Sequence, residues 1–490
     1  MRPTRLPPRT PRRLRLALAT LSLCVAGCLT REPAFEKTRL ARLPPAYKAG
    51  TLLVSDDGRA FAFVEETPAG ERLVTGGGAG APHTRYPRVA FAPRTHRLFS
   101  WTVDQVDGVP RVAIVADGRA IPTDAVAAGA FAFADDGRRW AAISVAGTTS
   151  GEVGDFALFL DGQEAGRWRD VGMPAFGPDG RAAWLGADAE GVRLFVDGRP
   201  VRAFAPPTAP CARAAWARAP RPDLPVRHAL RWLADGALLV LTRDADGWTL
   251  SRDETRLAVY DINRAELVDE ACRFGTAIAP ASLRTAADAP VAVWWERAAG
   301  DAERARLWRV AKDGRPLDDV TCSEPWTSQP PEISADGLHT AYACRLRDDA
   351  NLTSAFVVHD GRRYGPYQEI WGFALSRDGR HVTYGATLGG EPAPRPWAIY
   401  VDGAARAAGF TATWRPRVSD DGATVAWEAQ RVDGGRGALG IGARQVGAFD
   451  EVLWGPEFET ANDGRPHVAW VIRRGRSLTR LGVTLPGRPR

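Results

Sequence analysis

The chain has 490 residues, of which 45% are hydrophobic and 25% are charged. It is long enough for one very large domain or several ordinary ones, and this composition excludes global disorder. The formal net charge is +6 at pH 7, but residues 1–27 hold six arginines and no acidic residue. Removing these six from the 64 basic residues leaves 58, which equals the 58 acidic residues. A nucleic-acid-binding protein needs a basic surface, so this balance argues against that class.

Residues 1–27 are typical of an export signal. An apolar stretch at residues 16–27 follows the arginines and is too short to span a bilayer as a mature helix. Val25, Ala26 and Gly27 precede Cys28, and this order resembles the bacterial lipobox. The resemblance implies a lipoprotein that is anchored to a membrane through lipidated Cys28. A plain secretory signal is the alternative.

The residue after the lipidated cysteine bears on which membrane carries the protein. By resemblance to lipoproteins of bacteria with two membranes, an aspartate there would imply retention at the inner membrane. Leu29 occupies this position. The resemblance therefore implies an outer-membrane lipoprotein of the cell envelope, facing the periplasm or the cell surface.

An Asp-Gly pair recurs along the rest of the chain, each time between two short apolar stretches. Successive copies are often about 42–43 residues apart, which is the length of a four-stranded propeller blade. Degenerate copies begin at Phe91 and surround Asp288. The intact copies are Asp57-Gly58, Asp136-Gly137, Asp179-Gly180, Asp235-Gly236, Asp336-Gly337, Asp378-Gly379, Asp421-Gly422 and Asp463-Gly464.

Each unit has a second hairpin pattern about 18–25 residues later, as in residues 158–168 and 399–410. Two hairpins make four strands per unit. The sequence therefore predicts an all-β chain, a β-propeller of four-stranded blades with about ten repeat units. Propellers typically have four to eight blades. Either one large ring or two smaller propellers, divided near residues 205–225, would fit this count.

The best-formed unit carries a family resemblance. Phe176-Gly177-Pro178-Asp179-Gly180, followed by Ala183-Trp184, resembles the WD-like repeat of TolB-type periplasmic propellers. The resemblance extends over nearly all of the chain after the signal. It implies a propeller fold and a protein-binding role in envelope assembly.

The last unit is one strand short in the sequence, because the pattern ends after residues 477–486. The stretch at residues 34–43 lies outside the first unit and is a candidate for the missing strand. Closing the ring in this way would leave no free sheet edge across it. We therefore expect a signal peptide at residues 1–27, a lipid-anchored tether with a ring-closing strand at 28–50, and the propeller at 51–486.

Four cysteines remain after Cys24 is lost with the signal and Cys28 is lipidated. An oxidising compartment permits disulfides, and four cysteines allow three pairings. The short loop favours Cys322–Cys344, which leaves Cys211 with Cys272. Buried free thiols are the alternative. No two cysteines have the close spacing of a zinc site.

Motifs of common enzyme classes are missing from the sequence. It contains no HExxH, no GxSxG nucleophile elbow and no phosphate-binding loop. His339 and His381 occupy the same place in their repeats, which indicates a repeated structural position. We expect no metal, no cofactor and no enzymatic activity, and an active site in the loop insertions is the remaining alternative.

The tryptophans fall into two groups. Those that follow the first turn of a unit are expected to pack between blades: Trp184, Trp294, Trp427 and Trp470. Three others stand at unit boundaries and are candidate binding residues: Trp371, Trp414 and Trp454. Exposed aromatic side chains there would bind a protein partner or a sugar ring.

The sequence thus leaves three hypotheses. The first is a lipid-anchored, non-enzymatic, protein-binding scaffold whose partners are envelope proteins. The second is a propeller that binds a carbohydrate or another small ligand, with a glycan as the partner. The third is an enzyme with its site in the insertions.

Overall fold

The computed structural model describes residues 34–147, 153–188, 190–204, 229–243, 247–261, 282–298, 307–325, 329–347, 353–388, 396–431, 437–460 and 465–485. This part of the chain contains 41 β-strands and no α-helix. Within these ranges no helix is long and apolar enough to cross a membrane. The predicted signal peptide and Cys28 lie outside the described residues, as do Cys211 and Cys272.

The strands form antiparallel four-stranded units that follow chain order. Unit 1 has β2 (Leu53–Val54), β3 (Phe61–Thr67), β4 (Gly70–Thr75) and β5 (Gly78–His83). Unit 2 has β6 (Arg85–Phe91), β7 (Leu98–Val106), β8 (Val109–Ala116) and β9 (Arg119–Pro122). Unit 3 has β10 (Ala125–Phe133), β11 (Trp140–Gly147), β12 (Val153–Leu160) and β13 (Gln163–Trp168).

In units 4 and 7 the first strand is split into two short pieces that pair with the same second strand. Unit 4 has β14 (Asp170–Val171), β15 (Ala175–Phe176), β16 (Ala182–Ala187), β17 (Val192–Val196) and β18 (Arg199–Phe204). Unit 5 has β19 (Ala229–Trp232), β20 (Leu238–Arg243), β21 (Gly247–Arg252) and β22 (Thr255–Asp261). Unit 6 has β23 (Arg284–Thr285), β24 (Ala292–Arg297), β25 (Trp308–Lys312) and β26 (Arg315–Pro316). Unit 7 has β27 (Glu324–Pro325), β28 (Glu332–Ile333), β29 (Thr340–Arg347), β30 (Thr353–His359) and β31 (Arg362–Tyr367).

Units 8 and 9 share one long strand, so their sheets are continuous. Unit 8 has β32 (Glu369–Leu375), β33 (Val382–Thr387), β34 (Trp397–Val401) and the start of β35 (Ala404–Val418). Unit 9 has the end of β35, then β36 (Val425–Arg431), β37 (Gly437–Ile441) and β38 (Arg444–Phe449). Unit 10 has β39 (Glu451–Thr460), β40 (Pro466–Arg474), β41 (Ser477–Thr484) and β1 (Ala34–Arg42).

The fourth strand of unit 10 comes from the N-terminal stretch. β1 pairs antiparallel with β41, from Ala34 opposite Thr484 to Arg42 opposite Ser477. This is the pairing that the sequence predicted for residues 34–43. A strand from one end of the chain thus covers the edge of a sheet built from the other end.

First strands of successive units contact one another around the whole molecule, including β39 with β2. The Nε1 atom of Trp232 donates to the carbonyl of Ala175 at 3.0 Å, so contact continues between units 4 and 5 across the insertion at residues 205–225. The arrangement is a β-propeller. Its described units form one continuous circle instead of two separate propellers.

Within the described residues, the recurrent Asp-Gly pair is the bend between the first and second strands; Asp463-Gly464 lies outside them. In residues 418–425 the hydroxyl of Ser419 donates to Oδ1 of Asp421, and the amide of Ala423 donates to the same oxygen at 3.0 Å. Gly422 has a φ of 66°, which glycine adopts without strain. Asp420 accepts the amide of Asp378 from the neighbouring unit at 3.2 Å. The prediction that these acids form turns is confirmed.

The core is divided into apolar clusters between neighbouring units. Ile399 and Val401 of unit 8 pack with Val425 and Trp427 of unit 9. Trp184, Trp294 and Trp470 are fully buried in equivalent clusters. The packing role predicted for these four tryptophans is confirmed.

Candidate functional site

The inner wall of the ring is built from the first strand of each unit, because these are the strands that contact one another all the way round. Each first strand starts where the previous unit ends, and it finishes at the turn that carries the Asp-Gly pair. We call these two ends of the ring the linker end and the turn end. Any group near the start of a first strand therefore lies close to the mouth of the central channel.

A cavity of about 900 Å³ lies at the linker end across units 7 to 10. Its walls come from the first strands of these units and from the ends of β36 and β38. Trp371 and Trp414, two of the three predicted binding residues, line it together with Phe373. The structure therefore places two boundary tryptophans, which are 43 residues apart in sequence, beside one cavity.

A break in strand pairing follows each of these tryptophans. Trp371 is opposite Gly385 and Trp414 is opposite Glu428, and in both strands the register shifts directly afterwards. Such bulges bend a strand and re-aim its side chains. The side chain of Trp371 is 47% exposed, an unusual state for a residue that can bury so much apolar area.

Trp454 has a different place. Its Nε1 atom donates to the carbonyl of Asp56 at 2.7 Å, and its ring lies so close to Gly58 that a Cβ there would be 2.6 Å from it. It is not among the lining residues of the cavity. Instead it packs at the contact between units 10 and 1. The structure thus separates Trp454 from the other two candidates.

Polar side chains of unit 7 extend across to unit 8 at the base of the cavity. Oε1 of Gln329 accepts the amide of Phe373 at 3.0 Å, and Oε2 of Glu332 accepts the amide of Leu375 at 3.0 Å. Burial raises the pKa of Glu332, although the Leu375 amide, Arg417 and Gln329 oppose this rise. These contacts fix Gln329 and Glu332 on β32.

Among the described residues that line the cavity, Arg417 is the only basic one. Its Nε atom lies 3.8 Å from Oε1 of Glu457. Burial raises the pKa of Glu457, Arg417 opposes that rise, and Glu459 adds to it. The acidic lining residues are Glu332, Glu428, Asp450 and Glu451. The cavity thus combines two indole rings with an excess of carboxylates.

One group of described residues has the composition of a metal site. His339 Nδ1 lies 2.6 Å from Oδ2 of Asp360, and His359 Nε2 lies 3.5 Å from the same oxygen. His359 Nε2 also lies 2.9 Å from the Gly379 carbonyl, which can only accept a hydrogen bond, so this nitrogen carries hydrogen. His381 Nδ1 lies 2.6 Å from Oδ2 of Asp402, which is the equivalent in unit 8 of the contact between His339 and Asp360. That contact does not include a second histidine. We interpret the group as a strand-linking feature of the repeat.

Cys322 and Cys344 form a disulfide with a Cα–Cα distance of 5.8 Å. The bond joins the linker before unit 7 to its second strand, β29. The predicted pairing of these two cysteines is present in the structure. The partner pair Cys211–Cys272 stays a prediction.

Sequence reasoning missed Gln329, Glu332 and Arg417 as neighbours of the two tryptophans. For two of these residues, the position in the repeat gives a signal in the sequence. Glu332 and Arg417 stand five residues before the turn glycines Gly337 and Gly422, a position that small apolar residues occupy in units 3, 4 and 8.

No protein-family model and no curated protein sequence matches this chain. Solved structures similar to it include puromycin hydrolase, with 18% identity, a TM-score of 0.28, and coverage of 89% of this chain and 61% of that chain. The β-propeller domain of the Trilobed protease from Pyrococcus furiosus has 10% identity, a TM-score of 0.27, and coverage of 74% and 94%. TolB from Acinetobacter baumannii has 10% identity, a TM-score of 0.21, and coverage of 79% of both chains. The chain therefore spans about three fifths of the puromycin hydrolase it matches.

The prediction that the chain is not an enzyme is wrong as it was stated. Solved structures similar to it include puromycin hydrolase and a puromycin-hydrolyzing peptidase of Mycobacterium tuberculosis. The prediction rested on motifs of a few enzyme classes, and a missing motif does not exclude chemistry of another class.

Proposed function

We propose that the chain is a lipid-anchored β-propeller of the bacterial envelope that binds a protein partner at the cavity of units 7 to 10. The exposed indole of Trp371 carries the proposal. A tryptophan that stays half exposed beside a cavity retains apolar area for a partner to cover, and tryptophan is enriched among the residues that dominate protein interfaces.

The surroundings of Trp371 fit a protein segment. Trp414 and Phe373 add apolar surface, and Leu388, which follows the second strand of the same unit, is 61% exposed. Because Gln329 and Glu332 are held by the β32 backbone, the base of the cavity is already ordered before a partner binds, which lowers the cost of binding.

The location is proposed from the sequence of the first 28 residues. The basic region, the apolar stretch and Cys28 together favour export and lipidation. Replacing Cys28 with serine is expected to move the protein from the membrane fraction to the soluble fraction of the cell. An unchanged membrane fraction would refute the anchor.

A carbohydrate is the second candidate ligand. Indole rings stack on sugar faces, and amides and carboxylates such as Gln329, Gln430 and Asp450, all in the lining, bind hydroxyl groups. A protein partner and a carbohydrate would give different crosslinked products at the cavity.

Site-specific photo-crosslinking in cells tests the proposal. A photoreactive amino acid at position 371 is expected to give a protein adduct that protease digests. The control is the same amino acid at Val109, which is 60% exposed on unit 2 and away from the cavity. A glycosidase-sensitive adduct at position 371 would favour the carbohydrate, and identical products at positions 371 and 109 would refute a specific site.

A further inference from the structure

The fourth strand of unit 10, β1, starts at the turn end of the ring. Thr460 ends β39 and Pro466 begins β40, and these two residues lie opposite each other. Next to Pro466, His467 lies opposite Thr484 of β41. Thr484 in turn lies opposite Ala34, the first residue of β1. The N-terminal stretch therefore joins the propeller at the turn end.

From there β1 runs to the linker end. Arg42 lies opposite Ser477, and the amide of Leu43 donates to the carbonyl of Arg476 at 2.8 Å. β1 has nine residues, and a strand rises about 3.3 Å per residue, so the two ends of unit 10 are about 30 Å apart.

The stretch between the proposed lipid anchor and β1 is short. Ala34 stands six residues after Cys28. A fully extended chain covers at most about 3.6 Å per residue, so the two residues lie within about 22 Å of each other. This reach is shorter than β1 itself. With Cys28 in the lipid, the turn end of unit 10 is held close to the membrane surface.

The turn end is a broad face, because the turns of neighbouring units are joined. The contact of Trp454 with the Asp56 carbonyl ties the turn of unit 1 to unit 10. Further contacts join Arg94 to Asp56, Arg139 to Gly180, Lys312 to Gly337 and Asp378 to Asp420. The turns that make these contacts therefore take their orientation from unit 10.

The cavity of units 7 to 10 lies at the opposite end. Trp371 is the third residue of β32, which runs from the linker end to the turn end. Leu388 directly follows β33, which runs back to the linker end. Their side chains are 47% and 61% exposed. The apolar surface offered to a partner is thus on the face away from the turns.

The geometry points to a fixed orientation on the membrane, in which the turn end faces the lipid and the cavity opens away from it, toward a water-exposed protein domain. This inference rests on the lipid anchor and the partner site proposed above. A partner embedded in the same membrane would have to extend about 30 Å beyond the lipid to reach Trp371, since that is the height of the unit. The segment that binds the cavity therefore belongs to a domain in the aqueous compartment.

Fluorescence energy transfer to acceptor-labelled lipids tests the orientation. The lipidated full chain is placed in vesicles of phosphatidylethanolamine and phosphatidylglycerol, with a donor dye on a single bioorthogonal amino acid. Two matched pairs of exposed positions compare the ends: Arg380 at the turn end with Leu388 at the linker end of unit 8, and Arg119 with Val109 in unit 2.

Transfer is expected to be stronger at the turn-end position of each pair. The strands between the paired positions have six residues in β33 and eight in β8, so the distances to the lipid should differ by about 20–25 Å. Equal transfer at both ends, or stronger transfer at Leu388 and Val109, would overturn the orientation and leave the anchor standing. Strong transfer from both positions of one unit and weak transfer from both of the other would mean a ring lying on its side, which also overturns it.

Two controls separate the orientation from the anchor. Transfer from none of the four positions would refute the anchor, and the orientation with it. A flexible glycine-serine spacer of about 30 residues before Ala34 has an end-to-end distance of about 30 Å, similar to the height of the unit. It is expected to bring the two efficiencies of each pair together, and an unchanged difference would refute the short tether as the cause.

Discussion

Truncating a tryptophan to alanine should have very different effects at two positions of neighbouring units. Trp427 is 2% exposed, its Nε1 donates to the Gly442 carbonyl at 2.7 Å, and its ring centroid lies 4.7 Å from that of Phe410. Gly440 leaves room for the ring, because a Cβ there would lie 1.9 Å from Cζ2. Trp427 thus fills a closed space between units 8 and 9.

The expected magnitude follows from burial. An indole side chain that buries about 250 Å² at about 25 cal/mol per Å² contributes at most about 6 kcal/mol. Measured losses for such truncations are about 3–5 kcal/mol, since the cavity relaxes in part. We expect Trp427→Ala to lower the free energy of unfolding by about 4 kcal/mol. Trp371→Ala should cost at most about 3 kcal/mol, because the side chain is 47% exposed, which leaves about 130 Å² buried, and solvent fills the space it leaves.

Urea unfolding followed by far-UV circular dichroism measures both losses. Trp427→Phe is the control, because it keeps an aromatic ring and removes the hydrogen bond to Gly442, which should cost about 1 kcal/mol apart from the smaller ring. Equal losses for Trp427→Ala and Trp371→Ala, or a loss below about 1 kcal/mol for Trp427→Ala, would refute the division into packing and binding tryptophans.

Three further predictions concern the disulfide, the partly buried acid Glu332 and ring closure. Replacing Cys322 and Cys344 with serine should lower stability by about 3 kcal/mol, as loop-closure entropy over their separation of 22 residues implies; an unchanged Tm with and without reductant would contradict this. Burial raises the pKa of Glu332, so its neutral form is favoured in the folded state, and the stability it contributes is present below the ordinary carboxyl pKa and is lost as pH rises through the raised one. The Tm of wild type relative to Glu332→Gln should therefore fall from pH 4 to pH 8, whereas parallel curves would contradict the shift. Removing residues 34–42 should lower the Tm and cause self-association through the uncovered edge of β41, seen by size-exclusion chromatography; a monomer of unchanged Tm would show that β1 is dispensable.

Much of the fold could be predicted from the sequence because the repeat fixes local structure. The Asp-Gly turns and the alternation around them specify hairpins, and residues 34–43 were a strand pattern without a partner in the first unit. The split first strands of units 4 and 7 were not predicted, since irregular pairing depends on contacts with the neighbouring unit. The merger of two units through β35 also depends on tertiary contacts.

The candidate site was predictable only in part. Trp371, Trp414 and Trp454 share a place in the repeat, but what lies beside them differs: the first two adjoin a cavity, and the third meets Gly58 across the ring closure. Glu332 belongs to the site because it reaches the backbone of another unit. Such contacts between distant segments have no local sequence signature.

The most direct test of the proposed function is the affinity of a crosslinked partner for the wild type and for Trp371→Ala, measured by isothermal titration calorimetry. The exposed 47% of Trp371 corresponds to about 120 Å², or about 3 kcal/mol when fully covered. The account predicts that Kd rises about 100-fold in Trp371→Ala and stays unchanged in Val109→Ala. An equal Kd for wild type and Trp371→Ala would contradict the assignment of the cavity as the binding site.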